Sequence, residues 1–178
     1  VQAAEMNMQG KTTRDESMAS NVEWILSQFS ADTKIILWAH NGHISKGQEQ
    51  NSVYKPMGKY LDYKYGKQMV NFGFAFGEGN YTARGSKGLT AYGTSLPQPG
   101  SYEYVFRRTG VPNFIFDLRE ISRSPLSNWL NSSMYFRSIG SVAMDYAFYN
   151  TVLPDEFDVI IYFDKTTPSK LLIQTNKE

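Results

Sequence analysis

The sequence contains no cysteine and only two histidines among its 178 residues. Without cysteine, disulfide bonds, cysteine-ligated zinc and thiol nucleophiles are excluded. No apolar run approaches the roughly 20 residues that cross a bilayer, so we expect no membrane partner. The 18 basic and 17 acidic side chains nearly cancel, which argues against a dedicated nucleic-acid partner. These features leave the location open between cytoplasm and periplasm.

Hydrophobic residues make up 41% of the chain, which is enough for one sizeable domain with a buried core. The chain begins at Val1 and opens with "VQAAEMNMQGKTT", which is not typical of a translation start. We therefore expect residues 1–178 to form a single domain, or a domain fragment, of a longer protein.

Hydrophobic spacing predicts helices that alternate with strands along the chain. The first helix is expected from about Arg14 to Phe29, with Thr13 and Glu16 as a capping box. Further helices are predicted in "YKPMGKYLDYKYG", "SYEYVFRRTG" and "SPLSNWLNS", the last with Ser124 as its cap. Strands are predicted in "TKIILWAH", "QMVNFGFAFG", "NFIFDLRE" and "FDVIIYFDKTTP", with a hairpin or long loop after the second. This alternation predicts an α/β fold whose largely parallel sheet is flanked by helices.

Polar side chains stand where the predicted strands end. His40 ends the first strand, Glu78 follows the second, Asp117 and Arg119 close the third, and Asp164 closes the last. In parallel sheets, ligands bind beyond the carboxyl ends of the strands, so these residues indicate a site. The ends of strands are also polar simply because the loops that follow them are exposed to solvent, and this alternative explanation stays open.

The two histidines, His40 and His43, lie three residues apart in "WAHNGH" and are the candidate catalytic residues. One imidazole would serve as a general base. Alternatively the pair binds a metal with a third ligand such as Glu78, or simply caps the strand. Asn41 and Gly42 favour a tight turn directly after the strand, which would turn both rings towards one cleft.

Charged side chains beside turns and aromatic residues supply the candidate substrate-binding groups. An arginine there would bind a carboxylate or stabilise an oxyanion. The candidates are Arg14, Glu78, Arg84 and Arg137. Asp117 and Arg119 are predicted to form a structural ion pair. The aromatic residues Tyr146, Phe148 and Tyr149 are expected either in the core or as the wall of an apolar pocket.

Five segments together resemble the erythromycin esterase family, which is also described as succinoglycan biosynthesis proteins. They are "RDESMASNVEWIL", "KIILWAHNGHI", "MGKYLDYKYG", "NFGFAFGEG" and "FDVIIYFDKTTP", in the family's order, and they extend from about residue 14 to residue 168. The resemblance implies a hydrolase that opens an ester or lactone, as in macrolide antibiotic resistance. It also implies water activated by histidine, without a covalent serine intermediate and without a cofactor. The absence of a GxSxG elbow agrees with that route.

Family members are roughly twice this length, and their N-terminal half carries Gly-Glu and His-Gly motifs that this chain lacks. The resemblance therefore implies that the chain is the C-terminal half, with the missing N-terminal half of its own protein as its partner. In that arrangement His40 and His43 orient substrate, stabilise developing charge or support the water. Two alternatives remain: a non-catalytic binding or structural domain that keeps the fold, and a metal-dependent hydrolase.

Overall fold

The computed structural model describes residues 10, 13–47, 54–119, 121, 125–144 and 146–170. The α-helices are α1 (Arg14–Ser27), α2 (Asn41–Ile44), α3 (Met57–Tyr65), α4 (Tyr102–Arg108) and α5 (Leu153–Glu156). The strands are β1 (Phe72–Gly85), β2 (Gly88–Gly93), β3 (Asn113–Asp117), β4 (Met134–Arg137), β5 (Phe148–Thr151) and β6 (Val159–Thr166). Short 3-10 helices cover Gly66–Gln68 and Pro125–Asn131. Within these residues, no helix is long and apolar enough to span a membrane.

The main sheet has four strands in the order β2-β1-β6-β3. The α/β class is confirmed, but the prediction of a largely parallel sheet is wrong, because only β1 and β6 run parallel. β1 continues past the predicted strand into a hairpin with β2, and Gly88 adopts the positive φ of 77° at the tight turn. Such a two-residue connection joins only antiparallel strands. β3 runs antiparallel to β6. The carboxyl end of β3 therefore lies at the opposite end of the sheet from the carboxyl ends of β1 and β6.

The segment "TKIILWAH", predicted as a buried strand, is not one within the described chain. Its apolar side chains face outwards, with Ile36 95% and Trp38 86% exposed. The neighbouring edge of β1 is occupied instead by the side-chain amide of Asn41. That amide donates to the Phe74 carbonyl at 2.7 Å and accepts the Phe74 N–H at 3.0 Å. A side chain thus takes the hydrogen bonds that a neighbouring strand would otherwise make with β1 there.

The helix signals in the sequence are largely confirmed. The Thr13 hydroxyl caps α1 by accepting the Glu16 N–H at 3.2 Å, although the helix ends at Ser27, before Phe29. α3 ends before Gly66, whose φ of 46° stops the helix. The cap predicted at residue 124 lies outside the described residues.

The main hydrophobic core covers one face of the sheet. Ala75, Ile160 and Tyr162 contribute that face, and α4 packs across it with Tyr102 and Phe106. A second cluster joins α1 to α3; its buried members are Ala19, Val22, Met57 and Leu61. The α2 turn contacts both clusters through Ile44 and therefore lies at their junction.

Tyr102 provides a test of the main core. Its buried hydroxyl donates to the Ser132 carbonyl at 2.9 Å and accepts the Leu153 N–H at 3.1 Å. Tyr102→Phe is expected to lower the free energy of unfolding by about 1–3 kcal/mol, because the buried Leu153 N–H and the Ser132 carbonyl lose their partner. Urea denaturation measures the effect, with the exposed Tyr63→Phe as control. Equal stability of the two variants would contradict this account of the core.

Candidate functional site

A direct polar contact between α1 and the histidine turn, residues 40–43, joins His43 to Asp15. The His43 Nδ1 lies 3.0 Å from Asp15 Oδ1 and 2.9 Å from Oδ2. Because a carboxylate only accepts hydrogen bonds, Nδ1 carries the proton and Nε2 is the basic nitrogen. His43 is one-quarter exposed at its side chain. An imidazole whose Nδ1–H is held by a buried carboxylate in this way is suited to take a proton from water at Nε2.

Asp15 is fixed by contacts from two neighbouring segments. Its side chain is 1% exposed, and Oδ2 also accepts the Met57 N–H at 2.9 Å. Burial and a hydrogen bond to Asp15 raise the pKa of Tyr54 to about 12. The Tyr54 hydroxyl is therefore a stable donor to the carboxylate at neutral pH. These contacts satisfy a buried charge and hold the carboxylate in one orientation.

His40 is placed differently from His43. Its Nδ1 accepts the Gly42 N–H at 3.1 Å, so it caps the one-turn helix α2. Its Nε2 lies against the Ile139 carbonyl and must donate to it. Both ring nitrogens are occupied by backbone groups. The two rings therefore have different neighbours, and among the described residues no group bonds the second ring nitrogen of His43, which leaves it available for proton transfer.

Ile139 also lines a pocket of about 140 Å³. Arg137 forms part of its wall, with its guanidinium 5.0 Å from the Phe76 ring and 4.9 Å from the Phe148 ring. One guanidinium nitrogen donates to the Ser95 carbonyl at 2.8 Å. The apolar and aromatic wall includes Tyr81, Leu96, Met144 and Tyr146. The pocket thus combines an aromatic surface with the Arg137 guanidinium, which these contacts hold in place beside the histidine turn.

Glu103, which sequence analysis missed, contacts the backbone of the pocket residue Arg137. It is fully buried, and its Oε1 accepts the backbone N–H of Arg137 at 2.8 Å. Its Oε2 has no hydrogen-bond partner among the described residues. Burial raises the pKa of Glu103 to about 7. In the sequence this residue only marked the polar first turn of a helix, so nothing distinguished it.

The raised pKa of Glu103 gives a prediction about stability. The carboxyl titrates near 4.5 in the unfolded chain and near 7 in the folded one. The free energy of unfolding therefore falls, on the order of 3 kcal/mol, as the pH rises from about 4.5 to 7. Glu103→Gln removes the titrating group and with it this loss. The stability of the variant relative to wild type should therefore increase between pH 5 and pH 7.5. Urea denaturation at both values measures it, with the surface variant Glu23→Gln as control. An advantage that does not change with pH would contradict the prediction.

Glu78 lies within β1, among charged groups at the carboxyl ends of the parallel strands. Arg107 donates to its Oε1 at 2.9 Å, and this hydrogen bond lowers the pKa of Glu78. Arg107 also lies 3.7 Å from Asp164. Among the described residues, no group of three side chains that could hold a metal ion is present. Glu78 and Asp164, both at strand ends in the sequence analysis, thus lie on either side of Arg107.

The remaining predicted residues lie in several different places. Asp117 and Arg119 pair as predicted, with Nε to Oδ1 at 2.9 Å and Nη2 to Oδ2 at 2.6 Å, at the opposite edge of the sheet. Arg84 is exposed on the β1–β2 hairpin. Arg14 is exposed at the start of α1, close enough for its charge to act on Tyr54. Of the aromatic cluster, Tyr146 and Phe148 line the pocket, whereas Tyr149 packs on the main core.

Comparisons with known proteins agree on one family. The family model described as Erythromycin esterase matches residues 2–166. YbfO of Bacillus subtilis (strain 168), named as a candidate hydrolase, is 23% identical over 171 residues, covering 89% of this chain and 36% of that protein.

Solved structures show the same fold. A protein from Bacillus cereus is 28% identical with a TM-score of 0.79, and a succinoglycan biosynthesis protein is 26% identical with a TM-score of 0.78. Each alignment covers 89% of this chain and 39% of the other. A mutant of the erythromycin esterase EreC, in its open conformation, is similar in fold, with 20% identity, a TM-score of 0.60, and coverage of 97% and 42%. The chain therefore spans well under half the length of these relatives.

Proposed function

The chain belongs to the erythromycin esterase family, and on this premise we propose that it forms part of a hydrolase that opens an ester or lactone with water. His43 is the group that activates the water, and Asp15 orients it. The observation that carries the proposal is the contact of His43 Nδ1 with both oxygens of a buried carboxylate. This contact leaves Nε2 as the base. The hydrolase names among the relatives support the reaction class.

The reaction needs one proton to move twice. Water attacks the carbonyl carbon of the ester while His43 Nε2 takes a proton from it, and the negative charge passes to the carbonyl oxygen. When the tetrahedral intermediate collapses, the carbon–oxygen bond to the leaving alcohol breaks, and the imidazolium returns the proton to that oxygen. Asp15 stabilises the imidazolium between the two steps. The products are a carboxylic acid and an alcohol, which in a lactone stay joined in one molecule.

The pocket beside Ile139 is proposed to hold the substrate. Its aromatic wall fits an apolar part of an ester, and Arg137 offers a cation for an oxygen-bearing group. His40 joins the histidine turn to this pocket through the Ile139 carbonyl, so we assign it a positioning role. Arg14, Glu78 and Arg84 remain proposed substrate contacts. Glu78 would contact the substrate together with Arg107, its ion-pair partner. Arg14 would contact the substrate from the side on which Tyr54 lies.

The chain covers 36–39% of the length of these relatives. We therefore assign the complete activity to a longer polypeptide assembly. We propose that this chain is the C-terminal half of the family fold. The remaining half would contribute further catalytic groups, which include a second candidate for the general base. Macrolides are one proposed substrate class among bulky esters and lactones.

A substrate panel tests the proposed reaction. Macrolide lactones and small esters are incubated with the longest polypeptide that the gene encodes, and the products are read by mass. Addition of one water to at least one substrate is the expected result. A panel without hydrolysis, together with saturable binding of an ester to the same protein, would favour a non-catalytic binding domain instead.

A further inference from the structure

Arg137, in the wall of the pocket, carries a buried charge that lacks an ion-pair partner in the described part of the chain. It is 5% exposed, and no carboxylate oxygen of those residues lies within ion-pair distance of its guanidinium. Two partly buried cations elsewhere are paired, Lys46 with Asp158 and Arg107 with Glu78. A buried charge normally has a partner of opposite sign, so the position of Arg137 calls for one.

Most of the hydrogen-bond donors of Arg137 are also unused. A guanidinium carries five N–H donors. Among the described residues, Nη2 donates to the Ser95 carbonyl at 2.8 Å, whereas the buried Nη1 has no partner. The Phe76 and Phe148 rings stabilise the cation from 5.0 and 4.9 Å but do not replace a hydrogen-bond acceptor of full charge. The unused donors fit the two oxygens of a carboxylate.

The rest of the pocket wall limits the size and the charge of a ligand. Arg137 is the one charged side chain that the described residues place in this wall. The volume of about 140 Å³ is close to the roughly 150 Å³ of a protein cavity that holds benzene, so one ring-sized group fits. Tyr81, Tyr146 and Phe148 provide aromatic surface for such a ring. The matching ligand is a flat apolar ring that carries a carboxylate.

We propose that this pocket binds the carboxylate of a small, single-ring organic acid. The unused donors of Arg137 hold its oxygens, and the aromatic wall covers its ring. Because this assignment rests on the proposed function of the pocket, the carboxylate belongs either to the ester substrate itself or to the acid that hydrolysis releases. The two sources share this chemistry, and binding is measured without turnover.

Glu103 couples this site to a proton. Its Oε1 accepts the Arg137 backbone N–H at 2.8 Å, and its Oε2 has no partner among the described residues. The other charged or titratable groups around these two side chains lie on β1, α4 and β6; they are Glu78, Tyr81, Arg107, Tyr162 and Asp164. Burial raises the pKa of Glu103 to about 7. Since an ionised Glu103 would repel an anion at Arg137, the carboxylate should bind more tightly once Glu103 is protonated.

Titration calorimetry with benzoate, benzamide and inorganic phosphate tests the site in the longest polypeptide that the gene encodes. Benzoate and benzamide have the same shape, but only benzoate is charged. Benzoate should bind saturably and about tenfold or more tightly than benzamide, because charge-assisted hydrogen bonds are the stronger ones. Phosphate should compete poorly, because it has no ring for the aromatic wall to cover. Arg137→Gln should remove the preference for benzoate, whereas the exposed control Arg108→Gln should keep it.

Glu103→Gln keeps the site testable if Arg137→Gln does not fold. Benzoate stays ionised at pH 6 and at pH 8.5, so a change in its affinity between them reports on the protein. In wild type the affinity should fall about fivefold or more from pH 6 to pH 8.5. In Glu103→Gln it should stay nearly constant, because the coupled proton is gone.

Two esters distinguish the source of the carboxylate. A lower KM for monomethyl terephthalate than for methyl benzoate would assign it to the substrate. Equal KM values with competitive inhibition by benzoate would assign it to the released acid. Benzoate binding without hydrolysis of either ester would uphold the site while contradicting the proposed function. Equal affinity for benzoate and benzamide, phosphate competition as strong as that of benzoate, or an unchanged preference in folded Arg137→Gln would overturn the proposal.

Discussion

Replacement of His43 by alanine is expected to lower turnover of an ester substrate by about 10²–10⁴-fold, the usual contribution of a positioned general base. Asp15 holds His43 Nδ1 at 2.9 Å, and no residue that the structure describes bonds the other ring nitrogen of His43. The loss should appear in kcat rather than KM, because proton transfer contributes in the transition state and not in substrate binding. Steady-state kinetics on the longest encoded polypeptide measures both.

The matched control is His40→Ala, three residues away in the same turn. Both His40 nitrogens bond backbone, so this variant should disturb the α2 cap and the Ile139 wall of the pocket. A rise in KM with a smaller loss in kcat is expected. If His43→Ala retained full turnover while His40→Ala lost it, the roles assigned to the two histidines would be reversed.

Gly58→Ala is expected to be the most destabilising substitution considered. A Cβ at residue 58 would lie 1.8 Å from the carbonyl oxygen of Ile44 and 2.5 Å from that of Ser45. These are backbone atoms and cannot rotate away, so α3 must move from the end of α2. The free energy of unfolding should fall by about 3 kcal/mol or more, at the upper end of overpacking effects.

The comparison for Gly58→Ala is Gly140→Ala, because a Cβ at residue 140 meets nothing within 4 Å. Urea denaturation, or the yield of soluble protein if the first variant does not fold, measures the difference. Since α3 also supplies the Met57 N–H that bonds Asp15 at 2.9 Å, any folded Gly58→Ala protein should lose turnover as well. Equal stability of the two alanine variants would show that α2 and α3 are not packed this closely.

Local signals in the sequence predicted the helices well, because each signal acts within a few residues. Thr13 and Gly66 mark helix ends through their own hydrogen-bonding and backbone properties. Segment 33–40 was predicted wrongly for the opposite reason. Its apolar composition indicated burial, but burial needs a neighbour, and among the described residues none covers it.

The candidate site was predicted only in part. The histidine turn was identifiable because both histidines fall in one motif. Asp15 was not singled out, since an acidic residue in the first turn of a helix is common for reasons of the helix dipole alone. Only the packing of α1 against α3 brings it to His43. The sheet order likewise depends on long-range pairing. Asp117 ends β3, which runs antiparallel to β6, so Asp117 lies at the opposite end of the sheet from Glu78.

The most direct test of the central claim is a double-mutant cycle on Asp15 and His43. Wild type, Asp15→Asn, His43→Ala and the double variant are compared by kcat on the best ester of the panel. If the two residues act as one unit, the double variant should be no slower than His43→Ala alone. Losses that multiply would show that Asp15 and His43 act independently, and would contradict the proposal that a carboxylate-held histidine activates the water.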